Sequence, residues 1–540
     1  MVKKLIPAYI LAFVISFTIF INEPIILYAN NKSDLWFDFM TMLKPIFVLF
    51  LISFIMISTI FTIIKKLSKN DKVYNIILIT MFIIFFASYI QGNYLLAKLP
   101  GLDGTTIVWK GFLTQNIITL VIWLLLILTY IITIKKFKIE GVIKVSSKIA
   151  LVVFIMLLVS CVSTTFTTKK MFMKKYPILV TDINYSDFSN DKNFIIFLTD
   201  AVDSTTFNKE LEKSPYKDSF KDFTYYPDTT SYYLYTRESI PQILSGTPNL
   251  NKTEYYTYYN DAFDKAPLFN ELISRDYDIN IYDHELIWTT KKGRTVKNTK
   301  KISNKIKLYY FAKNDIKYVA YKYLPFAFKK YAKIETMNFN YSKDAGYTNS
   351  YLWDNIENYK LILNNTVTKN ERKQFKFIHT NGSHPPYNID EELNRVEENE
   401  KGYSKEVSAS IKLMASYIEM LKENNAYNNS VIILLADHGY TEKDSINKVN
   451  PILLIKGINE TNTKMKVSDK KISFEDLQET YISLLDDKKN IDLFNNIPEN
   501  RVRKFIWYQF TKENHMVEYE LDAHAWEGEK ATKTGKEFNR

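Results

Sequence analysis

The chain has 540 residues, 46% of them hydrophobic, 15% aromatic and 24% charged, which excludes a disordered tail and leaves room for two or three folding units. Its single cysteine, Cys161, excludes a disulfide scaffold. The net charge of +11 does not mark a nucleic-acid binder, because residues 1–166 carry 15 lysines against 6 acidic residues while residues 167–540 carry 55 basic against 53 acidic residues.

The basic excess coincides with the apolar runs. Five stretches are long enough to cross the roughly 30 Å of a bilayer's hydrocarbon: Leu5 to Ile21, Pro45 to Ile64, Val73 to Ile90, Phe112 to Ile134 and Ile149 to Phe166. Asn22-Glu23-Pro24 offers no small-residue cleavage site after the first run, so it reads as an uncleaved helix. Lys3 and Lys4, then Lys65, Lys66, Lys69 and Lys72, then Lys135, Lys136, Lys138, Lys144 and Lys148 fall on one side if the N-terminus is cytoplasmic. Lys32, Lys98 and Lys110, mixed with Glu23, Asp34, Asp38 and Asp103, fall on the other. Lys169, Lys170, Lys174 and Lys175 disagree with this bias and are outnumbered by it. An odd number of spans puts the remainder outside, as an extracytoplasmic domain of a multi-pass cell-membrane protein. No Asp, Glu, Lys, Arg or His lies in mid-span in the five runs, which favours an anchor and lipid-facing platform over a transporter.

Beyond residue 190, short β-rich runs alternate with helical stretches, the pattern of an α/β layer fold. The expected division is a membrane domain over residues 1–166, a linker over 167–190, a catalytic domain over 191–480 and an extension over 481–540. Three apolar strands end in polar residues: Asn193 to Thr199 before Asp200, Phe375 to His379 before the Gly382-Ser383-His384 segment, and Val431 to Ala436 before Asp437-His438-Gly439. In open α/β sheets, ligands gather beyond the carboxyl ends of strands, so these ends converge if the strands are neighbours. Taken singly, each Asp also reads as a turn former or helix cap. Together, two carboxylates and an imidazole suit Zn²⁺ or Mn²⁺.

Thr236 precedes a helical pattern carrying Ile240, Ile243 and Leu244 on one face and closed by Ser245-Gly246. A hydroxyl there meets helix-terminal N–H groups, which favour a phosphate or a developing oxyanion; the alternative is a plain N-cap. A metal beside it would turn an otherwise weak nucleophile into an effective one.

The ordered set Asp200, Thr236 with Gly246, Gly382-Ser383-His384-Pro385 and Ala436-Asp437-His438-Gly439 resembles the sulfatase-like branch of the alkaline phosphatase superfamily. With five N-terminal spans, the chain looks most like membrane phosphoethanolamine transferases and lipoteichoic acid synthases. The resemblance covers about residues 1–480 and implies an alkaline phosphatase-like α/β domain behind a five-helix membrane bundle. It implies that Thr236 is a nucleophile that becomes phosphorylated, that Asp200, Thr236, Asp437 and His438 hold one divalent metal ion, and that His384 holds the transferred group. The partners it implies are a phospholipid donor and an envelope glycan or lipid acceptor.

The named transferases have Glu at the first ligand position, whereas Asp200 matches sulfatases and phosphodiesterases. Threonine cannot be converted to the formylglycine of sulfatases, so Thr236 points to phosphorus rather than sulfur. A hydrolase that passes the phosphate to water shares the same first half-reaction and stays open. A non-catalytic envelope assembly protein of the same fold would be expected to have lost one of the four ligands. His284, His379, His515 and His524 lack partner spacing and read as structural or exposed.

Overall fold

The structure is a computed structural model that describes residues 2–32, 35–68, 70–95, 109–174, 178–250, 255–283, 296–301, 305–339, 350–364, 368–399, 401–441, 445–487, 493–508 and 515–539. Asp34, Lys69, Lys98, Asp103, Lys175 and His284 lie outside the described residues. The chain forms two compact units, one of Met1–Pro177 with Ile302–Thr348 and one of Ile178–Lys301 with Asn349–Arg540. This differs from the linear division expected from the sequence. Residues 302–348 return to the helical unit because the helix Leu308–Tyr323 carries Phe311, Tyr318 and Tyr321 into that unit's core.

Among the described residues, five helices are long and apolar enough to cross a membrane: Lys4–Asn31, Phe39–Leu67, Asp71–Tyr94, Trp109–Lys136 and Ile139–Thr167. Two starts are capped, since Asp38 accepts from the Thr41 N–H and Asn70 from the Lys72 N–H, each at 2.8 Å. Lys65 and Lys66, and likewise Lys135 and Lys136, fall in last turns, where cations complement the helix dipole. Ile55, Leu125, Ile132 and Val159 project outward without a partner surface, which suits contact with acyl chains.

The first helix does not stop at Ile21. It passes through a π-helical turn at Thr18–Asn22 and continues as Glu23–Asn31, so Glu23 lies within the helix. That carboxylate is fully buried; it accepts from Lys322 Nζ at 2.7 Å, Tyr323 Oη at 2.6 Å and Asn22 Nδ2 at 3.0 Å. Burying it is tolerable only because charged and neutral donors from the returning segment replace its water. The bundle is therefore more than the uncharged anchor read from the sequence.

The second unit is built on a seven-stranded sheet of β1 (Asn193–Thr199), β2 (Thr224–Tyr225), β3 (Asp278–Tyr282), β4 (Gln374–Thr380), β5 (Ser430–Leu435), β6 (Leu453–Lys456) and β7 (Lys466–Val467). Across the sheet the order is β7-β2-β6-β5-β1-β4-β3. The central run β5, β1, β4 and β3 is parallel, with Leu435 opposite Leu198 and Thr380 opposite Thr199. β1 is buried along its whole length, as its unbroken apolar run requires. Its residues alternate between two cores: Phe194, Ile196 and Leu198 pack with Ile243, Leu272 and Tyr481, while Ile195 and Phe197 pack with Tyr417, Ile418 and Leu421. Helices Pro267–Ser274 and Tyr403–Glu423 carry Leu272 into the first of these cores and Tyr417, Ile418 and Leu421 into the second.

The register of β5, β1 and β4 brings three carboxyl ends side by side. The lysine bias adds an expectation about orientation: reporter fusions at Asn30, Asn70 and Asn190 should read outside, inside and outside. A cytoplasmic reading at Asn190 would overturn that topology.

Candidate metal and phosphoryl-transfer site

Asp200 follows β1 directly, and Asp437 and His438 follow β5 after Ala436. Because those strands are parallel neighbours, the three side chains emerge at one edge, and one ligand atom of each lies within 4.8 Å of the others. Asp200 is 2% exposed, Asp437 0% and His438 6%. Two carboxylates this close and this dry repel each other unless a cation or a proton stands between them.

Each ligand is aimed by its backbone. Asp437 Oδ1 accepts from the Ala201 N–H at 3.1 Å and the His438 N–H at 3.0 Å, and Oδ2 is left buried without a hydrogen-bond partner, 3.4 Å from His438 Nε2. His438 Nδ1 lies 2.7 Å from the Gly439 carbonyl. A proton on Nδ1 donated to that carbonyl leaves the Nε2 lone pair facing Asp200 and Asp437, the tautomer that ligates a metal. An orphaned buried carboxylate oxygen opposite an imidazole lone pair is a donor set that fits a divalent ion. Asp200, Asp437 and His438 would hold it, with the Thr236 hydroxyl alongside.

Thr236 opens the helix Thr236–Ser245. Its Oγ1 lies 3.3 Å and 3.4 Å from the two Asp200 carboxylate oxygens and 3.4 Å from His438 Nε2, too long for strong hydrogen bonds and suited to sharing a common ion. Ser239, one turn further on, donates to the Asp437 carbonyl at 2.7 Å and pins the helix to the end of β5. The helix ends at Gly246 with φ +69°, a left-handed cap suited to glycine.

The Gly382-Ser383-His384 turn leaves β4 and folds over Asp200. Ser383 N–H donates to the Asp200 carbonyl at 2.8 Å. Gly382 has φ +56°, and a Cβ there would come within 2.4 Å of the Asp200 amide nitrogen, so the close approach requires glycine. His384 is half-buried; its Nδ1 is 2.7 Å from the Pro385 carbonyl and its ring lies 6.0 Å from Trp353, edge to face. The structure thus brings Asp200, Thr236, Asp437 and His438 together and sets His384 beside them, outside the group whose atoms converge.

Sequence reasoning missed His379 and gave Asp283 no role. His379 lies near the carboxyl end of β4, fully enclosed, with Nδ1 3.2 Å from Asp283 Oδ2 and Nε2 3.7 Å from Asp200 Oδ2. Burial pushes its imidazole down, but Asp283 and Asp200 outweigh this and raise it to about 10. Asp283, His379 and Asp200 form a chain that orients the first carboxylate. The usable signal was position: His379, like Asp200 and Asp437, sits at the carboxyl end of a central strand. Burial alone would lift the Asp200 carboxyl, yet His384, His379 and His438 hold it below the ordinary range. Asp437 lies above that range, through burial and the charge of Asp200.

Arg503, Ile506, Tyr508 and His524 brace the segment that delivers Thr236. Strands Arg503–Trp507, His515–Leu521 and Thr532–Asn539 form a small antiparallel sheet. The Ile506 N–H donates to the Tyr232 carbonyl at 2.8 Å, Tyr508 Oη donates to Glu238 at 2.6 Å, and the Tyr508 ring stacks on Tyr235 at 4.5 Å. Asp228, before the segment, is buried against Arg503 and His524, each at 2.7 Å.

No protein-family profile matches the sequence, and no curated protein does. Solved structures similar to the chain include a protein in the alkaline phosphatase superfamily from Vibrio parahaemolyticus, 12% identical with a TM-score of 0.35, covering 65% of this chain and 83% of that one. They also include the C-terminal periplasmic domain of EcEptC from Escherichia coli in complex with Zn, 14% identical with a TM-score of 0.32, covering 54% and 82%. A third is the lipoteichoic acid synthase LtaP from Listeria monocytogenes, 13% identical with a TM-score of 0.35, covering 62% and 83%. The chemistry of the present site is read from its own side chains.

Four outcomes are expected. Metal analysis should return about one equivalent per chain, with sharp loss in Asp200→Ala or His438→Ala. Asp283→Asn should weaken metal affinity by about 10- to 100-fold through the His379 chain, and affinity should fall with falling pH as protons compete for the carboxylates, both read by chelator competition. Arg503→Ala, which leaves Asp228 buried without its main partner, should cost about 3–5 kcal/mol in denaturant unfolding.

Proposed function

We propose that this chain is a membrane-anchored, metal-dependent phosphotransferase with an extracytoplasmic catalytic domain. It moves a substituted phosphate, phosphoethanolamine or phosphoglycerol, from a phospholipid to a cell-envelope glycan or lipid through a phospho-threonine at Thr236. The observation that carries the reading is the placement of Thr236 Oγ1 at the first turn of a helix, within 3.4 Å of both Asp200 and His438.

A divalent cation held by Asp200, Asp437 and His438 would lower the pKa of the Thr236 hydroxyl and offset charge on the phosphoryl oxygens. In the first half-reaction the Thr236 oxygen forms a bond to phosphorus and the bond from phosphorus to the diacylglycerol oxygen breaks. The threonine proton is released and the departing oxygen takes one up, so the step is proton-neutral. An acceptor hydroxyl then attacks phosphorus and Thr236 leaves, restoring its hydroxyl. The helix N-terminus that begins at Thr236 supplies N–H groups toward the phosphoryl oxygens. His384 has the role of holding the transferred group and stabilising its charge.

Mass spectrometry of the purified chain should find an adduct on Thr236 whose mass identifies the group carried. Thr236→Ala should abolish adduct and turnover while keeping the fold and part of the metal affinity. His384→Ala should keep the metal and lose roughly 10²- to 10⁴-fold in rate. Normal turnover in Thr236→Ala would sink covalent catalysis at this residue, and loss of metal in His384→Ala would require a different ligand set.

A further inference from the structure

The helical unit contains a cavity of about 270 Å³ lined by Asn22, Ile26, Tyr89, Asn93, Met156, Leu157, Ser160 and Lys322. Its lining mixes polar groups, Lys322, Asn22, Asn93 and Ser160, with apolar ones, Ile26, Met156 and Leu157. Its place along the helices is informative. Tyr89 and Asn93 are in the last turns of Asp71–Tyr94, Ser160 lies two turns before Thr167, and Asn22 ends the π-helical turn of the first helix, which runs on to Asn31. These three helices end on one side of the bundle, and helices of this length exceed the hydrocarbon thickness, so the cavity stands on that side, at head-group and upper acyl depth. Met156 and Ser160 are exposed on the outer face of their helix, which leaves a lateral way in from the bilayer.

We propose that this cavity binds the phosphodiester head group of a membrane phospholipid, apart from the metal site. Lys322 is the charge that recognises it. Glu23 takes one N–H of that ammonium at 2.7 Å, and an ammonium has three. Asn22 Oδ1, buried and without a hydrogen-bond partner, is a further polar group at the wall, able to accept from a head-group hydroxyl or ammonium. Ile26, Met156 and Leu157 take the first methylenes of the acyl chains. A buried Asn22 Oδ1 facing hydrocarbon would be costly, and a head group with its glycerol backbone meets both the polar and the apolar lining. The inference does not rest on the catalytic reading, since binding here needs no turnover.

The test uses the full chain carrying Thr236→Ala, so that catalysis plays no part. Native mass spectrometry from micelles doped with dioleoylphosphatidylglycerol, dioleoylglycerol or soluble glycerol 3-phosphate should show one phosphatidylglycerol retained per chain and neither of the others. Ser160→Trp, which fills the cavity from its exposed rim, should lower retention at least about tenfold. The double variant Glu23→Gln with Lys322→Gln removes the recognising charge without stranding a buried carboxylate, and should do the same. Equal retention of dioleoylglycerol would mean that no phosphate is read, and retention of glycerol 3-phosphate alone would mean a free-phosphate site. Unchanged phosphatidylglycerol retention in both variants would overturn the cavity as its location.

Discussion

Two carboxylates, Asp200 and Asp437, are held against each other where water scarcely reaches, and the unit built on the seven-stranded sheet is arranged around that enforced repulsion. In water the pair would separate or take up a proton. Here the parallel register of β1 and β5 prevents separation, since Leu435 and Leu198 are locked opposite each other, each two residues before its acid. The free energy of sheet formation and of the two cores is thus used to keep a site that a cation, or a proton, would relax. A metal held there would be linked to the folded state for the same reason.

Everything around the pair limits its freedom further. Gly382 presses the Asp200 backbone, Ala201 adopts φ +57° and gives its N–H to Asp437, and Ser239 ties the Thr236 helix to the Asp437 carbonyl. A left-handed φ at alanine costs of order 1–2 kcal/mol and persists because its neighbours over-determine it. The strain sits between the two acids, where a shift of one would misplace the other.

Much of this was legible in the sequence, for a definite reason. Apolar runs announce strands buried on both faces, and the polar residue that ends such a run is placed by the sheet itself. Asp200, Asp437 and His438 were therefore readable one strand at a time. Thr236 was readable from the helix it begins. What was not readable depends on contacts across long separations. Glu23 looked like a loop residue after Ile21 because its partners, Lys322 and Tyr323, are some three hundred residues away. Residues 302–348 looked like part of the catalytic domain because nothing local reveals that Phe311 and Tyr318 pack in the helical core. His379 was set aside for lack of spacing, yet its partners Asp283 and Asp200 come from the ends of two other strands.

The brace formed by Arg503, Tyr508 and His524 bears on timing. All four groups of the site, from Asp200 to His438, leave the ribosome well before residue 503. Until the later strands arrive, Asp228 has neither its guanidinium nor its imidazole, and Tyr235 lacks the ring that stacks on it. The loop that presents Thr236 is then unbraced, and its hydroxyl is not yet fixed over the two acids. The order of synthesis thus leaves an incompletely delivered chain with the side chains of the site present and its geometry unset.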